Sequence, residues 1–190
     1  MTELIGPNVR LRPLKDEDLP VYQRIYGSPV LTRYLGVDRM TPEKATAAFY
    51  TPTPRKLVFA ITSHDDDTMA GMIALLLEEY GSNAMCTGLV ILPGSPVRGC
   101  GSEAGRLLFA HAFGPLGIHR VWAGHRADHS MMSSVMTGAG LEREATLREL
   151  FHTQGRWHDV TTYAAVAHRW REQASPLELA IMRGAVLSRS

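Results

Sequence analysis

The stretch Ser95-Pro96-Val97-Arg98-Gly99-Cys100-Gly101-Ser102-Glu103-Ala104 constrains this chain more than any other. It follows an apolar, strand-like run from Thr87 to Leu92 and leads into a helix-like run from Ala104 to Phe113. A strand, a tight glycine turn and a helix start together aim several backbone N–H groups at one point. Oriented N–H dipoles at a helix N-terminus favour an anion, phosphate most readily. Glycine at 99 and 101 lets the backbone approach that anion closely and take a positive φ where needed. The spacing matches neither common phosphate motif. The third glycine of a G-x-G-x-x-G falls on Ala104, and no Gly-Lys-Ser/Thr follows. A Gly-x-Gly turn between strand and helix also serves as a plain connection, so the rest of the chain has to decide.

With 190 residues, 45% of them apolar, the chain can bury one full core. A net charge of +1 excludes bulk attraction to nucleic acid or membrane. Cys86 and Cys100 make neither a disulfide framework nor a Cys-x-x-Cys metal pair, and they read as reduced thiols. There is no basic-then-apolar leader pattern and no apolar run near the roughly 18 residues of a membrane span. The expectation is a soluble, cytoplasmic protein without a resident metal.

Val9 to Pro13 alternates apolar and basic residues, as a half-buried strand does. Asp16-Glu17-Asp18 starts a helix carrying Leu19, Tyr22, Gln23 and Tyr26. Ser28-Pro29 and Thr41-Pro42-Glu43 are two further helix starts, each a capping residue before a first-turn proline. A break at Thr51-Pro52-Thr53-Pro54 precedes a hairpin, 57–62 and 69–77, around the acidic turn Ser63 to Asp67. That turn, His64 included, reads as a hydrated loop. Strand 85–92, helix 102–114, strand 119–125, helix 129–138 and strands near 142–151 and 157–166 complete a mixed α+β domain. Its sheet is mostly antiparallel and flanked by helices. Ser175-Pro176 with Leu177, Ile181 and Ala185 opens a last helix that packs on the domain or on a second copy.

Six segments in order resemble the Gcn5-related N-acetyltransferase (GNAT) superfamily, within it the ribosomal-protein and polyamine N-acetyltransferase-like branch. Pro96 to Gly101 stands in the frame of its Arg/Gln-x-x-Gly-x-Gly/Ala loop. Ser102-Glu103-Ala104-Gly105-Arg106-Leu107-Leu108 is similar to Thr-Glu-Ala-x-Arg-Leu-Leu. Ala112 to Val121 is similar to Ala-Phe-x-x-Leu-Gly-x-His-Arg-Val, and Gly140 to Glu144 to Gly-Phe-x-x-Glu. Gly155 to Val160 is similar to Gly-x-Trp-x-Asp-Val, and His129 to Met132 stands where the family has Asn-x-x-Ser. The resemblance runs from about Val9 to Trp170. It implies an acyltransferase domain over residues 1–172, a C-terminal helical extension over 173–190, and splayed strands at the acyl-donor site.

The resemblance further implies acetyl-coenzyme A as co-substrate. Its pantetheine arm would lie along the main chain of Leu89, Val90 and Ile91, and its pyrophosphate on Arg98, Gly99, Cys100, Gly101 and Ser102. His129 replaces the asparagine that meets the pantetheine. Pro96 replaces the loop's first Arg/Gln, with Arg98 as a substitute charge. Met132 replaces the serine, and Met136 stands at the general-acid position, so catalytic residues stay unassigned. Ser130, Ser133 and Ser134 are neighbouring substitutes. Candidate bases are Glu78 and Glu79 at a strand end and His125 after the phosphate-loop helix. His111 reads as a core histidine, His119-Arg120 as a structural turn, and Asp159 as a brace of the late hairpin. Met131, Met132 and Met136 form an apolar patch.

The implied function is acetyl transfer to a primary amine of a small molecule or peptide, by a monomer or a homodimer, with no role for a membrane. A second reading keeps the fold and takes another donor, an aminoacyl-tRNA or a carrier-protein thioester, with Arg98, Arg106, Arg120 and Arg126 meeting the phosphates. A third is a ligand-binding member that does not catalyse.

Overall fold

The computed structural model describes residues 3–51 and 53–184. A short strand β1 (Leu4–Ile5) pairs with β2 (Arg10–Pro13), and a single 3-10 turn, Asp16–Asp18, leads into α1 (Leu19–Gly27). The one-turn α2 (Pro29–Thr32) and then α3 (Pro42–Tyr50) follow. Ser28 Oγ accepts the amide of Leu31, and Thr41 Oγ1 that of Lys44, so both expected caps are formed. Next come β3 (Lys56–Thr62), β4 (Gly71–Leu77), β5 (Asn83–Ile91), α4 (Gly101–Phe113), β6 (Arg120–Arg126) and α5 (Met131–Gly138). The chain closes with β7 (Glu142–Thr153), β8 (Arg156–Val166), α6 (Ala167–Glu172) and α7 (Pro176–Met182).

One eight-stranded sheet, in the order β1-β2-β3-β4-β5-β6-β8-β7, carries everything. Only β5 and β6 run parallel, joined by the crossover through α4. The α+β class and the mostly antiparallel sheet are as expected. Strand β1 and helix α6 had no separate signal: β1 is two residues long, and α6 continues directly from β8.

The period-2 pattern divides the core in two. Phe59, Ile61, Ile73 and Leu75 face α4, whose Ala104, Leu107 and Leu108 are all but fully buried. Ala60 and Met72 face the opposite side, under Tyr22, Ile25 and Tyr26 of α1 and Ala45 of α3. Within β5 the pairing with β4 slips by one residue: Ala74 opposes Thr87, but Met72 opposes Val90. The extra residue is a bulge at Gly88, which takes φ +64°. The bulge changes the phase of the strand. Cys86 before it, and Leu89 and Ile91 after it, all lie with the α4 core, while Val90 joins the α1/α3 core.

At the far end α7 packs on α4. Ser175 and Glu178 form a capping box, and the Glu178 carboxylate takes two hydrogen bonds from Arg106, at 2.5 and 2.7 Å. Gly114 is required there, because a β-carbon would strike the backbone of Met182. Trp170 is fully buried, donates to Ala139 O at 3.0 Å, and lies 5.0 Å from the Arg106 guanidinium. Ala185 lies outside the described residues.

The acidic turn is more than a hydrated loop. Asp67 draws together Arg10, Arg12 and Lys15, and its backbone carbonyl accepts a further bond from Arg12 at 2.6 Å. Arg12 is 2% exposed and also meets Asp18 through two bonds, at 2.7 and 2.9 Å. Sequence alone missed this because the three cations lie more than fifty residues from Asp67. Asp18→Ala is expected to cost about 3 kcal/mol, the low end for breaking a buried pair because Asp67 still faces Arg12; urea unfolding measures it. Lys15 first, then Arg12, hold the Asp67 carboxyl below its ordinary range. The folded state therefore binds that proton less readily than the unfolded chain. Its contribution is complete above about pH 4 and is lost as pH falls further. Asp67→Asn should flatten this acid limb in a series of melting temperatures against pH.

Candidate active site

Strands β5 and β6 are in register only from Asn83↔Arg120 to Cys86↔Ala123. Beyond that point β6 continues on β8 alone, Gly124 opposite Thr162 and Arg126 opposite Val160. Strand β5 continues on β4 alone. The two strands splay, as the resemblance implies, and a cleft of about 580 Å³ opens between them. Leu89, Val90 and Ile91 line it on one side, Gly124, His125 and His129 on another.

The loop after β5 closes one end of this cleft through Arg98, Gly99 and Gly101. Two of its amides turn inward: Arg98 N–H donates to Ser95 O at 3.2 Å and Cys100 N–H to Val97 O at 3.1 Å. The amides of Gly99, Gly101 and Ser102 donate to no protein acceptor among the described residues. Cys100 offers no side-chain cap. Glu103, an acid that would repel an anion in this first turn, is drawn away to the amides of Asn8 and Val9, at 2.7 and 3.1 Å. Gly99 takes φ +91°, with open space where a β-carbon would be. Arg98 is exposed and has no ion pair among the described residues. Ser102 contributes its amide only, since its hydroxyl donates to Val135 O at 3.1 Å and ties α4 to α5. This is an uncapped, accessible set of donors that fits a phosphate ester.

Two further buried polar atoms lack a protein partner here, Ser95 Oγ in the loop and His129 Nδ1 in the cleft. The His129 ring is stacked on Tyr34, with centroids 3.9 Å apart and planes at 15°. Burial first, then the neighbouring His125, lowers its pKa, so it is neutral at pH 7. His125 is 4% exposed, and its Nδ1 lies 2.8 Å from Arg126 O. A carbonyl only accepts, so Nδ1 carries the proton and Nε2 the lone pair. Ser133 Oγ stands 3.4 Å from that Nε2 and accepts a bond from Tyr163 OH at 3.0 Å. Cys86 sits at the point of the splay, where burial pushes its thiol up to about 12.

The other candidates lie elsewhere. Glu78 accepts from Trp122 Nε1 at 2.6 Å, and Glu79 is 3.7 Å from Arg55, at the opposite end of β5 from the splay. His111 is half-buried against Phe59. Arg120 is paired with Glu144, and His119 N–H donates to Ser82 O, both structural. Asp159 does brace the hairpin, through the amide of Glu149 at 2.9 Å. Ser130 and Ser134 form no part of the cleft lining, whereas Met131, Met132 and Met136 do. Tyr34 and Tyr163 were missed, and Arg126, expected to meet phosphates under the second reading, is buried. Arg126 spans Asp128, at 3.0 and 2.6 Å, and Arg33 O, at 3.0 Å. The Asp128 two residues on was the available signal.

A splayed parallel pair, a bulge at the splay and an uncapped helix start behind it define an acyl-donor fold. The model of the acetyltransferase (GNAT) domain matches residues 8–142, and the chain belongs to that family. It is an acetyltransferase. No match to the sequence was found among curated proteins. Among solved structures, spermidine N-acetyltransferase from Vibrio cholerae, in complex with CoA and spermine, is similar with a TM-score of 0.78 at 15% identity, over 87% of this chain and 99% of that one. A GNAT-family acetyltransferase from Bacillus anthracis gives 0.77 at 17%, over 88% and 99%. Mycobacterium smegmatis RimJ, in complex with CoA-disulfide, gives 0.76 at 20%, over 97% and 98%.

A β-carbon at Gly101 would stand 3.2 Å from Val135 Cγ1 and 3.6 Å from Leu89 Cδ2, across the base of the cleft. Gly101→Trp is therefore expected to lower coenzyme A affinity more than tenfold in calorimetry. The far-ultraviolet circular dichroism of the variant should match the parent.

Proposed function

We propose that the chain transfers acetyl from acetyl-coenzyme A to a primary amine by direct attack. The observation that carries this reading is the cleft between β5 and β6 ending on the three unpartnered amides of Gly99, Gly101 and Ser102. Those amides and Arg98 would hold the pyrophosphate. The free edge of Leu89 to Ile91 would pair with the pantetheine arm as an added strand does. His129 Nδ1, buried, neutral and unpartnered, would accept a hydrogen bond from that arm. The bound thioester supplies an activated acyl carbon. A neutral amine attacks that carbon: one N–C bond forms, one C–S bond breaks, and the proton of the amine ends on the released sulfur.

The amine must lose its proton first. Among the described residues the cleft lining holds no carboxylate, so the base falls to an imidazole. His125 presents a lone pair at Nε2, with the Ser133 and Tyr163 hydroxyls to steady it. The rest of the rate gain comes from holding two substrates in line. The tRNA reading draws little support, since Arg106, Arg120 and Arg126 are each committed to an internal carboxylate.

Two outcomes test this reading. His129→Asn should keep coenzyme A affinity and His129→Ala should lose about tenfold, measured by calorimetry at pH 7.5. In the parent, affinity should decline only below about pH 6.5, the ordinary histidine value, because the lowered pKa keeps Nδ1 free to accept above it. His125→Gln should lower kcat about 100-fold or more while the KM for acetyl-coenzyme A stays within a factor of a few.

A further inference from the structure

Acetyl transfer leaves open what carries the amine, and the inference below rests on that reading. The wall given by α2, the segment after it and the β7–β8 hairpin consists of Val30, Leu31, Tyr34, Leu35 and Phe151. It is apolar and partly aromatic. Among the described residues no aspartate or glutamate lines any part of the cleft. Asp128, on the turn that carries His129, is already paired with Arg126 through two hydrogen bonds. The charges that face its Tyr34 ring are positive, and the nearby acid, Asp38, is taken up by the Gln154 amide. The guanidinium carbons of Arg33 and Arg126 each lie 5.2 Å from the centre of the Tyr34 ring, and Arg98 lines the cleft itself.

The wall is also held in place. Tyr34 is clamped by the His129 ring, Gln154 N–H donates to Asp38 Oδ1 at 2.8 Å, and Gly36, at φ +69°, leaves just enough room for the Phe151 ring. A β-carbon on Gly36 would stand 3.0 Å from that ring. The segment after α2 is thus packed against the β7–β8 hairpin, and its apolar face is a built surface.

We infer that the acceptor is a primary amine on an apolar, preferentially aromatic, body with no second positive charge, and that polyamines are poor ligands of this cleft. Each additional ammonium of a polyamine would enter without a counter-charge and beside guanidinium groups, which is unfavourable. An apolar body gains by leaving water, and a flat ring finds Phe151 to lie against. The V. cholerae neighbour binds spermine; this chain shares its fold and lacks the acidic lining that a polycation needs.

Calorimetric titration of the coenzyme A-loaded protein with 2-phenylethylamine and with spermidine tests the inference. 2-Phenylethylamine is expected to bind at least tenfold more tightly. Val30 is 74% exposed and sits in the first turn of α2, where an acid is tolerated. Val30→Asp is therefore expected to keep the fold and to shrink that ratio at least threefold. Spermidine binding as tightly as the arylalkylamine, no binding of the arylalkylamine, or a ratio that Val30→Asp leaves unmoved would each overturn the proposal. Coenzyme A release from acetyl-coenzyme A is followed in parallel. A bound amine that is never acetylated counts against the acyl-transfer reading, while the binding ratio still decides the acceptor class.

Discussion

The parting of β5 from β6 after the Cys86↔Ala123 pair is the constraint on which the remaining structure depends. Two parallel strands joined by a helix would otherwise zip along their whole length and fill the cleft with their own ladder. The bulge at Gly88 prevents this. One extra residue bends β5 towards β4 and turns Leu89 and Ile91 onto the α4 face, where a regular strand would have placed Val90. The same residues then border the helix start at Gly101. A single positive-φ glycine thus stands just beyond the point where the two strands part.

An open slot through the middle of a sheet needs support from outside, and the C-terminal half of the chain provides it. Gly105 lets α5 approach α4 so closely that a β-carbon there would stand 2.9 Å from Ala139 Cβ. The Ser102 hydroxyl fastens the same two helices at their other contact, with Gly138 leaving it room. Behind them Trp170 binds the end of α5 through Ala139 O, and Arg106 with Glu178 fixes α7 on α4. The wall of the cleft is therefore rigid where the donor's phosphates would sit. Its geometry is set by close backbone approach, which tolerates little change in volume.

How much of this was legible in the amino-acid sequence follows from the range of each interaction. Caps at Ser28, Thr41 and Ser175 are local, and the elements they start are found within a residue or two. The phosphate loop was legible because its signal, strand then glycines then helix, is also local. Asp67 was read as solvated because Arg10, Arg12 and Lys15 come from a distant strand and turn. Glu78 and Glu79 stood among the candidate bases because strand ends look alike until the sheet order shows which end opens. Tyr163 carried no signal of its own in the sequence, and it is buried in the core. Its hydroxyl matters only because β8 sets it beside His125 and α5 brings Ser133 within reach.

The departures from the family pattern form a set once placed in space. Proline at 96 removes a side-chain donor and an amide, and exposed Arg98 supplies charge two residues later. Met136 removes an acid from α5, and one turn earlier Ser133 joins a hydroxyl pair with Tyr163. Histidine at 129, where the family has asparagine, carries Tyr34 on its flat ring, which an amide would do poorly. The stacked pair ties the turn before α5 to the segment after α2. Protonating His129 would put a cation beside Arg126 and His125, which both act to lower its pKa. Burial comes first in keeping this imidazole neutral and Arg126 adds to it; the same guanidinium stands beside the wall inferred to be inhospitable to a polycation.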